Sequence, residues 1–60
     1  MRKKVISKNG KEHNIKMRKI GNGRVSIDSD ATDYTVACNE EDGEKEFIEF
    51  VNEIKSGICD

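Results

Sequence analysis

Two Asn-Gly pairs, at 9–10 and 22–23, constrain this chain more than any other feature, because each sits between short runs in which apolar and polar residues alternate. Asn-Gly is the favoured centre of a two-residue hairpin loop, where both central residues need positive φ. Asn9-Gly10 therefore predicts a hairpin joining strands at about 2–8 and 11–20, with Lys8 opposite Lys11, Ile6 opposite His13 and Lys4 opposite Ile15. On that register Ile6, His13, Ile15 and Met17 share one face, and Val5, Glu12, Asn14, Lys16 and Arg18 share the other. The same loop at Asn22-Gly23 would set Ile20 opposite Val25 and Arg18 opposite Ile27, sending the apolar side chains of the third strand (about 24–28) to the wrong face. A three-residue Gly21-Asn22-Gly23 loop, with Gly23 in the left-handed conformation of a G1 bulge, instead sets Lys19 opposite Val25 and Met17 opposite Ile27. That choice makes Ile6, Ile15, Met17, Val25 and Ile27 one continuous apolar face.

Beyond the acidic turn DSDATD, the segment YTVACN alternates Tyr34, Val36 and Cys38 with Thr35 and Ala37, which predicts a fourth strand at about 34–38 with those three residues inward. The period then changes. Phe47, Phe50, Val51, Ile54 and Ile58 recur at three- and four-residue steps, the pattern of an amphipathic helix at about 43–56. Asp42 or Asn39 is the expected N-cap, and five acidic residues crowd the positive end of the helix dipole. Lys55 in the last turn and Gly57 at an expected left-handed C′ position mark the end, with Ile58 placed to fold back against the helix. One apolar sheet face and one apolar helix stripe in so short a chain have only each other for cover. The expected fold is α+β: a single domain over residues 1–60, an antiparallel β-meander of three to four strands packed against one C-terminal α-helix.

Sixty residues bury only about 60% of the surface exposed on unfolding, so the core is small and a substrate cleft inside it is not expected. Chains of this size recruit disulfides, a metal or a second subunit. Cys38 and Cys59 make a poor disulfide framework, and the basic start MRKKVIS lacks the apolar run of a secretory signal. The expected home is a reducing cytoplasm. No apolar run approaches the 18 residues of a membrane span. The cysteines and the single His13 lack zinc-ligand spacing. DSDATD departs from a calcium loop, with Asp33 in place of the turn glycine and Asn39 in place of the bidentate glutamate. No metal or cofactor is expected. Cys38 reads as a small buried hydrophobe and Cys59 as a tail residue.

Catalysis is not expected either. His13 has no sequence-evident nucleophile or carboxylate partner, the EEDGEKE carboxylates are accounted for at a helix start, and GNG lacks the lysine and the helix of a phosphate loop.

The charge distribution is the functional signal. Residues 1–24 hold nine Lys or Arg against Glu12 alone, while residues 25–60 hold eleven Asp or Glu against Lys45 and Lys55. Such a split points to a charged partner. On the expected register Lys3, Lys16, Arg18 and Arg24 stand on the outward sheet face beside Ser7, Asn14 and Ser26, with Lys8 and Lys11 at the hairpin tip. The arrangement suits a non-catalytic binding or regulatory module, with Ile20, Val5 and Ile48 as exposed apolar points for a protein partner. It suits equally an accessory nucleic-acid binder using the same basic face. A purely solubilising role for the charges, and a homodimer through an edge strand or the helix, are the other readings. In architecture such a chain is similar to the arm-binding domains of tyrosine integrases, and in composition it resembles small accessory proteins of phages and mobile elements. The first resemblance implies contact with nucleic acid. No aromatic residue is assigned to the outward face, so base stacking is not expected.

Overall fold

The computed structural model describes residues 1–60: four antiparallel strands in the order β1-β2-β3-β4, backed by one helix. The strands are β1 (Arg2–Ile6), β2 (Glu12–Gly21), β3 (Arg24–Ser29) and β4 (Val36–Asn39). A single 3-10 turn (Glu40–Asp42) leads into α1 (Gly43–Ser56). The α+β meander expected from the alternating strands and the change of period is the fold observed.

The helix lies across all four strands. Its stripe Phe47, Phe50, Val51 and Ile54 interlocks with Val5, Ile15 and Ile27, one residue from each of the first three strands. Ile15, Ile27, Ile54 and Val5 are the most completely buried side chains. Met17, Ala31, Val36, Cys38 and Cys59 close the margins of this core.

Both hairpins reach a single inward face, by devices opposite to those expected. At the first, the chain makes a three-residue Lys8-Asn9-Gly10 loop. Ser7 stands opposite Lys11, and only Gly10 takes positive φ (89°). Three local bonds favour this loop: the Asn9 carboxamide oxygen accepts from the Ser7 hydroxyl and from the Lys11 N–H, and the Ser7 hydroxyl also accepts from the Lys11 N–H. The register is therefore one residue short of the expected one, pairing Ile6 with Glu12, Val5 with His13 and Lys3 with Ile15. A one-residue slip inverts every side chain of a strand. Val5 is buried rather than Ile6, and Lys3 lies on the helix side of the sheet rather than on the outward face.

At the second hairpin Asn22 (φ 53°) and Gly23 (φ 70°) both adopt positive φ, as a type I′ turn requires, and close Gly21 against Arg24. The register then shifts between Lys19 and Gly21, so Ile20 is an extra, bulged residue, and Gly21 (φ 95°) supplies the conformation that lets the strand step past it. The expected pairs Lys19–Val25 and Met17–Ile27 are present, but the bulge in β2 produces them, not a longer loop.

Four smaller expectations also change. β4 starts at Val36. Tyr34 precedes it and is half-exposed, its ring stacked on Phe50 at 6.0 Å between centroids. Neither Asn39 nor Asp42 makes a side-chain cap bond. Gly57 does take the left-handed C-cap (φ 88°), but Ile58 points to solvent and Cys59 packs on the core instead. The turn from Gly57 to Asp60 sits on the first hairpin tip, where the Asp60 carboxylate accepts from the Asn9 N–H at 3.1 Å.

The helix starts at a glycine because it must pass close to the sheet. A Cβ on Gly43 would lie 3.0 Å from both Met17 Sδ and Val25 Cγ2. Met17 can shift, whereas the β-branched Val25 is stiff. Gly43→Val is expected to lower stability by about 1–3 kcal/mol in urea unfolding, through overpacking at this seat. Gly43→Ala is expected to cost less, because the gain in helix propensity offsets part of the clash.

Candidate partner-binding face

Pairing across the sheet sorts the cations by face. Directly opposed residues share a side, so the outward rows run Ile6–Glu12, Lys4–Asn14, Arg2–Lys16–Asp28, Arg18–Ser26–Ala37 and Arg24–Asn39. Five cations stand on this face: Arg2, Lys4, Lys16, Arg18 and Arg24. Glu12 lies 3.2 Å from the Lys4 ammonium, and Asp28 is directly opposite Lys16. The exposed Lys4–Glu12 pair adds little to stability. Arg18 and Arg24 lie toward the β2–β3 turn, with no carboxylate within ion-pair distance.

Of the residues singled out from sequence, Lys16, Arg18 and Arg24 come together here. Ile20 joins them at the bulge with 52% of its surface exposed. Lys3 does not, for the register reason above. Lys8 and Lys11 flank the first hairpin tip, where the stem of Lys8 lies against Gly57. Arg2, Lys4 and the 54%-exposed Ile6 were missed as members of this face. A Ser-x-Asn-Gly reading of the first loop, with the serine as a turn-bonding residue, would have found them. Val5, proposed as an exposed apolar point, is in the core. Ile48 is half-exposed, off the packed stripe of the helix.

Lys19 points to the helix side and meets the Glu40 carboxylate at 3.0 Å. The acidic side chains of the helix therefore belong to the opposite side of the molecule from Arg18 and Arg24.

At the far end of β2, Asp30 ties the turn after β3 to the sheet. Its carboxylate accepts from the Asn14 N–H (3.1 Å) and the Asn14 side-chain amide (3.4 Å), and it meets His13 Nδ1 at 3.2 Å. The other ring nitrogen, Nε2, is buried without a partner. His13 is thus a packed residue opposite Val5 with one oriented nitrogen, and no hydroxyl or thiol bonds to either of its nitrogens. The Cys38 thiol is pushed up from its ordinary pKa by burial first and then by the charges of Glu46 and Asp42, against a downward pull from Arg24. Such a thiol is a poor nucleophile at neutral pH.

A shallow open hollow lies where Arg2, Lys4 and Lys16 meet Asp28 and Asp30. Its lining mixes both signs of charge. No group of three or more His, Cys, Asp or Glu side chains is placed to hold a metal ion, and no helix is long and apolar enough to cross a membrane. Comparison with protein-family models, with curated proteins and with solved structures finds no match.

Asp30→Ala is expected to lower stability by about 1 kcal/mol, the worth of its largely exposed hydrogen bonds. The loss is measured by urea unfolding. Faster hydrogen exchange at the Asn14 amide, with the β2–β3 amides near Met17 unchanged, locates it.

Proposed function

We propose that this chain is a non-catalytic binding module of regulatory type that engages an acidic protein surface with the outward face of its sheet. The observation that carries the reading is the composition of that face. Lys16, Arg18 and Arg24 are framed by two half-exposed isoleucines, Ile6 and Ile20, while the core-packing residues are all used against the helix. Apolar anchors at the two ends of a cationic face fit a protein partner: the anchors supply affinity by desolvation, and the charges between them supply encounter rate and orientation.

A second reading, nucleic-acid binding through the same cations, is favoured by the position of the acidic helix behind the sheet. Phosphates approaching Arg18 and Arg24 would not meet the helix carboxylates first. The absence of aromatic side chains on the face argues for backbone contact without base stacking.

Three immobilised proteins separate the readings: wild type, Ile6→Ser/Ile20→Ser, and Lys16→Ala/Arg18→Ala/Arg24→Ala. A protein partner captured from host lysate is expected on the wild type and lost on both variants. In parallel, duplex DNA is titrated at about 50 and 200 mM salt, where each phosphate contact contributes about 0.9 to the salt slope. Micromolar DNA binding that collapses at the higher salt, is weakened by the triple alanine variant and is indifferent to the isoleucine changes would transfer the assignment to nucleic acid. Capture and titration that both ignore these residues would overturn both readings.

A further inference from the structure

The two edges of the sheet are defended unequally. β1 presents Arg2, Lys3 and Lys4 in succession, and a second strand of the same kind laid along it would set like charges side by side. β4 (Val36–Asn39) has no charge, no proline and no bulge, and it is the last strand in the sheet order. Of the devices by which proteins blunt an edge, it has only its shortness.

The phase of its ladder is fixed by one contact. Glu40 donates its N–H to the Gly23 carbonyl at 2.7 Å, on the same register that pairs Cys38 with Val25 and Val36 with Ile27. Hydrogen-bonded positions alternate along an antiparallel strand. Val36, Cys38 and Glu40 therefore turn their backbone groups toward β3, and Thr35, Ala37 and Asn39 turn theirs toward solvent.

We propose that β4 is a dimerisation edge: a second copy of this chain pairs antiparallel along it about a two-fold axis at Ala37, joining two four-stranded sheets into one of eight. Three features of the strand make it complementary to itself in this register. Ala37 meets Ala37 of the second copy and Thr35 meets Asn39, all of them positions whose backbone groups face away from β3, although the Asn39 carbonyl also opens the 3-10 turn. Val36 meets Cys38 of the second copy on the helix side, where both are half-buried at the margin of the core, so pairing covers them and extends the apolar layer. Continued one step past Ile27–Val36, the same register sets Thr35 level with Asp28, so strand reversal places Arg24 and Asn39 of one copy in one row with Thr35 and Asp28 of the other, with unlike charges at its two ends. On the helix side Asp42 and Glu46 act on Cys38, and duplicating them across the axis opposes association. A four-residue edge also makes a small interface, so the dissociation constant is expected on the order of 100 µM. The dimer does not depend on the partner reading of the basic face. It would place two such faces on the same side of one continuous sheet.

The test is sedimentation equilibrium from about 10 µM to 1 mM, a range that brackets this affinity. Two variants accompany the wild type, Ala37→Pro and Ala37→Lys. Proline is tolerated where an edge N–H faces solvent, so Ala37→Pro removes an intermolecular donor and leaves the β3–β4 ladder whole. The lysine variant guards against any local disturbance by proline, and circular dichroism confirms that each is folded. The wild type is expected to pass from monomer to dimer across the range, with association weakened at least tenfold in both variants. A wild type that stays monomeric to the top of the range overturns the proposal and leaves β4 open to a foreign strand or to none. Dimerisation undiminished in two folded variants overturns it equally, by placing the contact elsewhere.

Discussion

Every property of this molecule depends on the side-chain phase of three strands being held to the residue. Val5, Ile15 and Ile27 meet the helix only if they share one side of the sheet, and a single-residue slip in either hairpin would send one of them to solvent. The chain spends its conformationally permissive residues on this. Gly10 in the left-handed region sets the first phase, and the step at Ile20-Gly21 corrects the second, where the two-residue turn alone would have delivered the wrong one. With about 60 residues to build from, there is no second apolar layer to absorb an error.

The same phase sorts the charge. Cations on β1 and β2 are dense enough that either register would put some of them outward, and the one adopted chooses Arg2 and Lys4 over Lys3. Most of the acidic side chains of the second half fall in the 3-10 turn and the helix on the other side, while Asp28 stays opposite Lys16 on the outward face, and Lys19–Glu40 and His13–Asp30 bridge the halves. A net charge of −1 thus conceals a two-sided molecule. Fixed charges arranged in this way orient the chain in the field of a partner before contact, an effect that acts on association rate more than on affinity.

How much of this was legible in the sequence can be argued residue by residue. The helix, its apolar stripe, the glycine that ends it and the meander itself follow from periodicity, because a change from two-residue to three- and four-residue spacing has few other interpretations. The pairing of β2 with β3 follows from the need for one continuous apolar face, a need that the bulge at Ile20 meets in place of a longer loop. In the first hairpin Asn-Gly alone predicts a two-residue loop, and the hydroxyl of Ser7 favours the three-residue loop instead. Val5 and Ile6 are adjacent and both aliphatic, so the hydrophobic pattern could not arbitrate between the registers. Local side-chain bonds around Asn9 did. Of the candidate face, Lys16, Arg18, Ile20 and Arg24 were within reach because they lie on the hairpin whose register was right. Arg2, Lys4 and Ile6 were out of reach for the opposite reason. The seat at Gly43 left only an ambiguous trace, since a glycine near a helix start carries no mark of the Val25 methyl group it must avoid.

The bond between Asn9 and Asp60 joins positions 51 apart in the chain. Contacts of that separation carry the largest loop-closure cost, whereas the two hairpins close over a few residues each. A hierarchy of assembly follows. The central β2–β3 ribbon can organise locally, the helix gains its stability only on docking, and the turn at Gly57–Asp60 settles on the first hairpin after both are in place. The molecule is then closed by contact between the tip of its first turn and the turn that follows the helix, so that β1, an edge strand, is held at its far end by a segment 51 positions away along the chain.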